Sequence, residues 1–227
     1  MLGEVVDLFC GIGALSHGLK RAGLKIQAGY DTGRKCKFAF ERNNDAEFFP
    51  RDVAKLQPEE IAKHFSGTVP SVLAGCAPCQ PFSTYKHRYD EDPRWDLVNS
   101  FGELATAVGP DFITMENVPS LLKYKDGRVF DRFKMQLETA GYKVKWTIAK
   151  CEQFGVPQKR RRLVVVASKD IDLPALEPTH TEPVSVEQAI KGLPPIQAGQ
   201  ACPDDPLHVT DRHADHAALL RRCGRAD

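Results

Sequence analysis

The sequence predicts an α/β fold built on a doubly wound, mostly parallel sheet, and three observations support this prediction. Short β-rich runs alternate along the chain with segments of helical period, which is typical of βαβ units. The first of these runs leads into a glycine turn and then into a helical segment. The run at 163–166 is apolar without alternation, as expected for a strand that is covered on both faces.

Six runs are predicted to be strands, with helices in the segments between them. The predicted strands are residues 4–9, 25–30, 71–74, 111–115, 143–149 and 162–167, and the first helix is predicted at 14–22. Apolar residues recur at helical spacing in two later segments, namely Phe101, Leu104, Ala105 and Val108, then Phe130, Phe133 and Leu137. Each segment can lay one apolar stripe on the sheet, so we interpret both stripes as core.

After residue 169 the character of the sequence changes. Prolines recur from Pro174 to Pro206 and break any long element, and no strand period returns. A last helix is expected near 213–222. The predicted organisation is therefore a main domain at 1–169 and an irregular, proline-rich extension at 170–227.

The composition narrows the class of protein. The chain has 31 Lys and Arg against 30 Asp and Glu, hence a net charge of +1, so a nucleic-acid interpretation has to rest on local patches. No run approaches the roughly 18 consecutive apolar residues of a membrane helix, and we expect a cytoplasmic protein without a membrane partner. The seven cysteines are an odd number, which is a poor disulfide framework and suits a reducing compartment.

The first motif is the glycine turn after the first predicted strand, Asp7-Leu8-Phe9-Cys10-Gly11-Ile12-Gly13. Glycines at the carboxyl edge of such a sheet let the backbone approach a ligand closely, and Asp31 follows where an acid would reach ribose hydroxyls. Ser16 stands where a dinucleotide fingerprint has its third glycine. The motif therefore favours an adenosyl cofactor without a pyrophosphate, and a purely structural turn is the alternative.

The second motif, Gly75-Cys76-Ala77-Pro78-Cys79-Gln80-Pro81-Phe82-Ser83, follows a predicted buried strand. A thiol on a proline-restricted loop at the carboxyl edge is placed to be exposed and oriented, as a nucleophile requires, and Cys79 fits that description. Cys76 and Cys79 also form a C-x-x-C, which leaves a redox pair or half of a zinc site as alternatives. Cys202 and Cys223 do not supply a second zinc pair at suitable spacing.

The third motif, Glu116-Asn117-Val118-Pro119, follows the predicted strand at 111–115. A carboxyl group there faces the same crevice as the loop of Cys79 and can donate or accept a proton if burial raises its pKa. A simple turn is the alternative, because Asn-x-Pro suits one.

The fourth motif, residues 158–162, is Gln-Lys-Arg-Arg-Arg. Alternate residues of an extended segment share a face, so we expect Gln158, Arg160 and Arg162 to point together. The alternative is a solvated basic run at the edge of a strand.

These four motifs, in this order, resemble those of the cytosine-5 DNA methyltransferases, over residues 4 to about 169. The resemblance implies the Rossmann-like fold of methyltransferases that use S-adenosylmethionine, with S-adenosylhomocysteine as product and no metal. It places Phe9, Gly11 and Gly13 along the cofactor, Asp31 on the ribose and Asp52 on the adenine amino group. The full implied cofactor set is Asp7, Phe9, Gly11, Gly13, Asp31, Asp52, Val53, Pro78 and Leu97.

The resemblance also implies a mechanism with named residues. Cys79 attacks the base, Glu116 is the activating acid, and Arg160 and Arg162 support the pocket. The implied substrate-binding set is Gln80, Ser83, Asn117, Val118, Gln158, Lys86 and Arg88. The last two belong to a loop from Phe82 to Trp95 that we expect to act as a lid over a base rotated out of the duplex.

The implied partner is double-stranded DNA, in a bacterial or phage-encoded protein of the restriction-modification kind. Full-length family members continue with a target-recognition region and two further motifs, which residues 170–227 approach without containing. We therefore expect a truncated or split enzyme that needs a second polypeptide, with weak or no methylation by the isolated chain. A tRNA cytosine-5 methyltransferase and a non-catalytic or degraded cofactor-binding subunit are the alternatives.

Overall fold

The computed structural model of the chain describes residues 2–78, 93–174, 176–192, 201–202 and 205–209. The chain divides into two compact units, Met1–Glu182 and Pro183–Asp227, and each is described by itself. Within the described ranges, no helix combines the length and apolarity needed to cross a membrane.

The first unit alternates strands and helices along the chain. Its strands are β1 (Glu4–Leu8), β2 (Lys25–Asp31), β3 (Glu47–Pro50), β4 (Ser71–Gly75), β5 (Phe112–Asn117), β6 (Lys143–Lys150) and β7 (Arg161–Ser168). Its α-helices are α1 (Ala14–Arg21), α2 (Lys37–Asn44), α3 (Pro58–Ala62), α4 (Leu97–Val108) and α5 (Arg128–Thr139). Short 3₁₀ segments occupy Arg34–Cys36, Val53–Lys55, Pro93–Asp96, Pro119–Gly127 and Cys151–Phe154.

The seven strands form one sheet in the order β3-β2-β1-β4-β5-β7-β6. The first five strands in that order run parallel, whereas β7 is antiparallel to both of its neighbours, β5 and β6. The strand order reverses between β1 and β4, and such a switch point is where open α/β sheets bind ligands. The predicted fold class is confirmed.

Both faces of the parallel part of the sheet are covered. Val5 packs in one apolar cluster with Phe40 and Phe48, whereas Val6 packs in a second cluster with Phe101 and Phe133. Successive side chains of a strand point to opposite faces, so these two clusters lie on opposite sides of β1. The two predicted helical stripes are confirmed as core, since Phe101, Phe133 and Leu137 are fully buried.

The prediction that the run at 163–166 is covered on both faces is wrong. Leu163 and Val165 are buried, but Val164 and Val166 are only half-buried and border a surface cavity beside Trp146, which is 46% exposed. An apolar run without alternation therefore covers only one face of β7 completely. The valines on the other face support strand formation by their β-branched shape.

Three elements of the structure were not predicted from the sequence. Strand β3 has four residues, α3 has five, and α2 lacks a strong apolar stripe. Helix α3 does carry a local start signal, because Gln57 and Glu60 form a reciprocal capping box with Pro58 at the first helical position.

The second unit contains α6 (Val186–Ile190) and a two-stranded antiparallel ribbon of β8 (Ala201–Cys202) and β9 (Asp205–Val209). The expectation that no further strand follows residue 169 is therefore wrong; a two-stranded ribbon needs backbone pairing and no long apolar run. Helix α6 begins with a capping box, in which the Ser185 hydroxyl accepts from the N–H of Gln188 and the Gln188 side chain accepts from the N–H of Ser185. The helix predicted at 213–222 lies outside the described residues.

Candidate active site

The candidate site lies at the carboxyl edge of the sheet, where consecutive parallel strands end side by side. Phe9 follows β1, Asp31 ends β2, Cys76 follows β4 and Glu116 lies near the end of β5. Since β7 runs the other way, its first residues, including Arg162, lie at the same edge. Residues from distant parts of the sequence therefore meet at the switch point between β1 and β4.

The loop after β1 turns sharply to reach α1. Phe9, Gly11 and Gly13 all have positive φ, at 58°, 51° and 83°. A Cβ built on Gly13 would lie 2.2 Å from Asn44 Nδ2 and 2.7 Å from a ring carbon of Phe40, whereas one on Gly11 would have no atom within 4 Å. Gly13 is therefore required by packing against α2, and Gly11 is the glycine that leaves room above the loop.

Asp31 holds this loop in place from the end of β2. The backbone N–H of Gly11 donates to Asp31 Oδ2 at 3.0 Å, and the N–H of Gly33 donates to Oδ1 at 2.7 Å. Each carboxylate oxygen keeps acceptor capacity beyond one bond. Asp31 can therefore organise the loop and still accept hydrogen bonds from a ligand.

A cavity of about 690 Å³ opens beside these residues. Six residues of the implied cofactor set line it, namely Phe9, Asp31, Asp52, Val53, Pro78 and Leu97. The size is within the usual range of small-molecule sites, and the lining combines apolar walls with carboxylates. This combination fits an adenosyl cofactor, whose ribose hydroxyls and amino groups are hydrogen-bond donors.

Asp52 stands at one end of the cavity as the N-cap of the 3₁₀ segment Val53–Lys55. Its Oδ1 accepts from the N–H of Ala54 at 3.1 Å, and its side chain remains 43% exposed. Thr32 and Arg51, which were not predicted as site residues, also line the cavity, as does Arg94 of the expected lid loop. Arg51 forms an ion pair with Glu60 at 2.9 Å.

Asp7 lies beneath the loop and not in the cavity. It is fully buried, and its Oδ2 accepts from the Ser16 hydroxyl at 2.6 Å. Burial raises the pKa of Asp7 to about 7. Asp7 therefore supports the turn through Ser16, and this contact explains why a serine stands at position 16.

Glu116 is the centre of a polar cluster beside the cavity. Its Oε1 accepts from Arg162 Nε at 2.6 Å, and its Oε2 accepts from the Cys76 thiol at 2.9 Å. The side chains of Glu116 and Arg162 are 30% and 19% exposed, so the pair is partly shielded from water. Cys76 also lines the cavity, so the carboxyl group of Glu116 lies next to the cavity.

Glu116 was expected after the end of its strand, but it lies inside β5, paired with Val164 of β7. The simple turn proposed for this segment is therefore not what holds Glu116. The antiparallel ladder with β7 extends β5 as far as Asn117.

Asn117 and Val118, expected to contact substrate, are turned towards the protein. Asn117 is buried, and its side-chain amide donates to the carbonyl oxygen of Ala77 at 3.1 Å and accepts from the N–H of Val118 at 2.8 Å. Val118 packs against the core. Asn117 thus ties the end of β5 to the loop just before Cys79.

The expected alignment of Gln158, Arg160 and Arg162 stays a prediction, because Gln158 and Arg160 precede β7 and Arg162 lies within it. The N–H of Gln158 donates to the carbonyl of Val156 at 2.7 Å, and the N–H of Arg160 donates to that of Gln158 at 2.9 Å, so the backbone turns tightly before β7 begins. Gln158 and Arg160 are exposed, and Arg162 is the arginine that contacts Glu116.

The remaining predicted residues, Cys79, Gln80, Ser83, Lys86 and Arg88, lie outside the described residues. Cys79 follows Pro78, a residue that lines the cavity, directly in sequence. Cys10, another thiol in this region, is buried, and burial raises its pKa, which makes it a poor nucleophile. Trp95, expected in a lid, is half-buried with Lys125 Nζ 3.7 Å above its ring centre.

Comparisons with known proteins give a consistent result. A family model described as C-5 cytosine-specific DNA methylase matches residues 3–207. The type II methylase M.HgiDII of Herpetosiphon aurantiacus is 36% identical over 217 residues, which are 95% of this chain and 61% of that protein. The type II methyltransferase M1.HphI of Haemophilus parahaemolyticus is 32% identical over 207 residues, 86% of this chain and 54% of that protein. The chain therefore spans somewhat more than half of the length of these relatives.

Solved structures show the same likeness. A DNA modification methyltransferase encoded within an E. coli prophage matches with a TM-score of 0.73 and 26% identity, over 87% of this chain and 57% of that chain. The Dnmt2 methyltransferase of S. pombe matches with a TM-score of 0.61 and 19% identity, over 75% of this chain and 51% of that chain. The second match is a likeness of fold.

Proposed function

The chain belongs to the C-5 cytosine-specific DNA methylase family, and we propose that it is the catalytic part of an enzyme that methylates carbon 5 of cytosine in double-stranded DNA. The observation that carries the proposal is the position of Glu116. Its carboxyl group is held by Arg162 and Cys76, and Cys76 also lines a cavity of the size and character that an adenosyl cofactor needs.

Six residues would hold S-adenosylmethionine in that cavity. Asp31 would accept from the ribose hydroxyls and Asp52 from the adenine amino group, while Phe9, Val53, Pro78 and Leu97 form the walls. When bound, this cofactor supplies the methyl group in an electrophilic form. Gly11, where an added Cβ would have no atom within 4 Å, is proposed to let the cofactor approach the backbone of the loop closely.

The chemical problem is that carbon 5 of cytosine is a weak nucleophile. We propose that the thiolate of Cys79 adds to carbon 6, which turns the ring into an enamine whose carbon 5 can take up the methyl group. Transfer of the proton from carbon 5 to water and departure of the Cys79 thiolate then restore the aromatic ring.

Glu116 would act on the far side of the same ring. As sulfur attacks, negative charge develops towards ring nitrogen 3, and a carboxyl group that donates or shares a proton there stabilises it. Arg162 holds the carboxyl group from behind through Oε1. Arg160 is exposed and is proposed to contact the flanking phosphate.

A base stacked inside a duplex cannot be reached by a thiolate, so we propose that the target cytosine rotates out into the site. Gln80, Ser83, Lys86 and Arg88 belong to the loop that would close over it, with the two basic side chains on phosphates. Both relatives are named as type II methylases or methyltransferases, which supports a restriction-modification role as part of this proposal.

Methyl transfer from labelled S-adenosylmethionine to duplex DNA and to tRNA tests the proposal directly. In the presence of a polypeptide that supplies a target-recognition region, we expect label in DNA, recovered as 5-methylcytosine after digestion to nucleosides, and weak or no label with the isolated chain. Cys79→Ser should abolish transfer, and Glu116→Gln should slow it strongly. Glu138→Gln is the matched control, since Glu138 lies in an exposed ion pair with Lys134 at 3.4 Å.

Three other results would reject the proposal in different ways. Label in tRNA but not in DNA would identify an RNA enzyme. Cofactor binding without transfer to either polymer would identify a non-catalytic subunit. Bound zinc, or a reversible disulfide between Cys76 and Cys79, would support the metal or redox interpretations of the C-x-x-C.

A further inference from the structure

Glu116 has a different partner on each carboxyl oxygen. Arg162 Nε donates to Oε1 at 2.6 Å, and the thiol of Cys76 donates to Oε2 at 2.9 Å. A carboxylate with one partner can still rotate about its last side-chain bond, whereas two partners on opposite oxygens fix its plane. The orientation of Glu116 therefore depends on the thiol as well as on the guanidinium.

The backbone brings Cys76 to this position. Strands β4 and β5 are parallel neighbours, and Gly75, the last residue of β4, is paired with Met115. The residues that follow this pair, Cys76 after β4 and Glu116 in β5, therefore lie side by side. The N–H of Cys76 donates to the carbonyl oxygen of Leu8 at 3.2 Å, which anchors the start of the loop to the end of β1. The thiol therefore approaches Glu116 from a fixed backbone.

The two partners differ in strength. A bond from a guanidinium to a carboxylate is charge-assisted and strong, whereas a thiol is a weak donor. When a ligand competes for one oxygen of Glu116, the thiol yields more easily than Arg162. Oε2 is thus the oxygen that can change partner at low cost.

We propose that Cys76 is a positioning residue for methyl transfer, which orients Glu116 through Oε2 in the resting enzyme and releases that oxygen to the cytosine ring when the base enters. This inference rests on the proposed function. The thiol keeps its proton and only its hydrogen-bond partner changes, while the proton that Oε2 then shares with ring nitrogen 3 is taken up from solvent. Cys76 then has a role distinct from that of Cys79, which forms and breaks a covalent bond.

Steady-state kinetics of three variants in the full-length protein test this inference. Cys76→Ala removes the donor, and we expect kcat to fall about three- to tenfold while the KM values for DNA and cofactor stay within about twofold. Cys76→Ser restores a donor and should recover most of kcat. Cys151→Ala is the control, since Cys151 is also half-buried and lies outside the cluster and the cavity.

A spectroscopic measurement follows the exchange itself. The infrared S–H stretch of Cys76, isolated by subtracting the Cys76→Ala spectrum, should lie at the lowered frequency of a thiol bonded to a carboxylate and should rise in Glu116→Ala. In the wild-type protein it should also rise when DNA with a 5-fluorocytosine target is added, because Oε2 then bonds to the ring.

The possible outcomes distinguish failure of the proposed function from failure of the inference about Cys76. If the wild-type protein transfers no methyl group, the proposed function fails and this inference fails with it. If the wild type is active but kcat of Cys76→Ala matches that of Cys151→Ala, this inference alone fails. A parallel rise in both KM values, a Cys76→Ser variant no better than Cys76→Ala, or an S–H band insensitive to Glu116→Ala would each overturn it as well.

Discussion

Arg162 Nε lies 2.6 Å from Glu116 Oε1, and the antiparallel pairing of β5 with β7 brings the two residues together. Glu116 pairs with Val164, and Arg162 lies two residues before Val164 on the same face of its strand. A diagonal neighbour at that distance is within reach of a long side chain. The sheet therefore carries the carboxylate and its cation on two adjacent strands.

The first prediction concerns this pair. In Arg162→Ala the carboxylate loses its charged partner in a partly shielded site, which should cost about 2–3 kcal/mol of transition-state stabilisation, or roughly 30- to 160-fold in kcat. Arg162→Lys keeps the charge without the planar fork and should lie between wild type and Ala. Single-turnover methyl transfer measures both. Arg161→Ala is the matched control, and an equal loss in that variant would argue against a specific role for Arg162.

The second prediction concerns Asp31. Asp31→Asn replaces a carboxylate that accepts from two backbone N–H groups, so both the loop and the proposed ribose contact should weaken. We expect the Kd for S-adenosylmethionine, measured by calorimetry, to rise about ten- to a hundredfold. Asp45→Asn removes an exposed carboxylate that pairs with Lys20 and should leave the Kd unchanged. Equal Kd values for Asp31→Asn and wild type would remove Asp31 from the proposed cofactor site.

The third prediction separates two glycines of one loop. A Cβ at position 13 would overlap Asn44 and Phe40 at a positive φ, so Gly13→Ala should lower the free energy of unfolding by about 2–4 kcal/mol. The Cβ of Gly11→Ala would point into open space, so this substitution should lower the free energy of unfolding by only about 1 kcal/mol, because of the positive φ at this position. Urea denaturation compares them. Cofactor affinity should respond to Gly11→Ala, and equal destabilisation by both substitutions would contradict this division of roles.

The fourth prediction is a pH dependence of stability. Burial raises the pKa of Asp7 from its ordinary value near 3.8 to about 7, so the folded protein holds this proton more tightly than the unfolded chain. The resulting stabilisation is fully present below about pH 4 and is lost as the pH rises through 7. Urea denaturation should show this group lowering the free energy of unfolding of the wild type by about 2–4 kcal/mol between pH 4 and pH 8.

Asp7→Asn supplies the comparison, because its amide has no proton to lose in this range. The difference in unfolding free energy between wild type and Asp7→Asn should therefore change with pH. A difference that stays constant from pH 4 to pH 8 would show that Asp7 ionises freely in the folded protein.

The sequence pattern predicted the parallel part of the sheet well, for physical reasons. Buried parallel strands need apolar runs, and the helices that cover them need apolar stripes, so β1, β2, β4, α1, α4 and α5 all leave a periodic signal. The position of the cavity could be predicted for the same reason, because parallel strands all end at one edge of the sheet. Six of the nine expected cofactor residues line it.

The contacts of Glu116 could not be predicted from the sequence and became visible only in the structure. An apolar run such as 163–166 does not disclose that β7 is antiparallel, yet that direction decides that Arg162 meets Glu116. The thiol of Cys76 reaches Glu116 through the register of β4 on β5, which has no sequence signature. Asn117 was predicted as a substrate contact from its place in the motif. In the structure it is buried, and its hydrogen bond to Ala77 connects the end of β5 to the loop after β4.

The central claim is that a thiolate of this chain bonds to carbon 6 of a cytosine while Glu116 engages the same ring. Trapping with duplex DNA that carries 5-fluorocytosine tests it most directly, because fluorine at carbon 5 cannot leave as a proton does and the adduct persists. Incubation with S-adenosylmethionine should give a covalent protein–DNA complex, with the link mapped to Cys79 by peptide analysis. The complex should be absent in Cys79→Ser and formed much more slowly in Glu116→Gln. A complex that persists in Cys79→Ser, or methylation of ordinary DNA by the wild type without any trapped complex, would contradict the account.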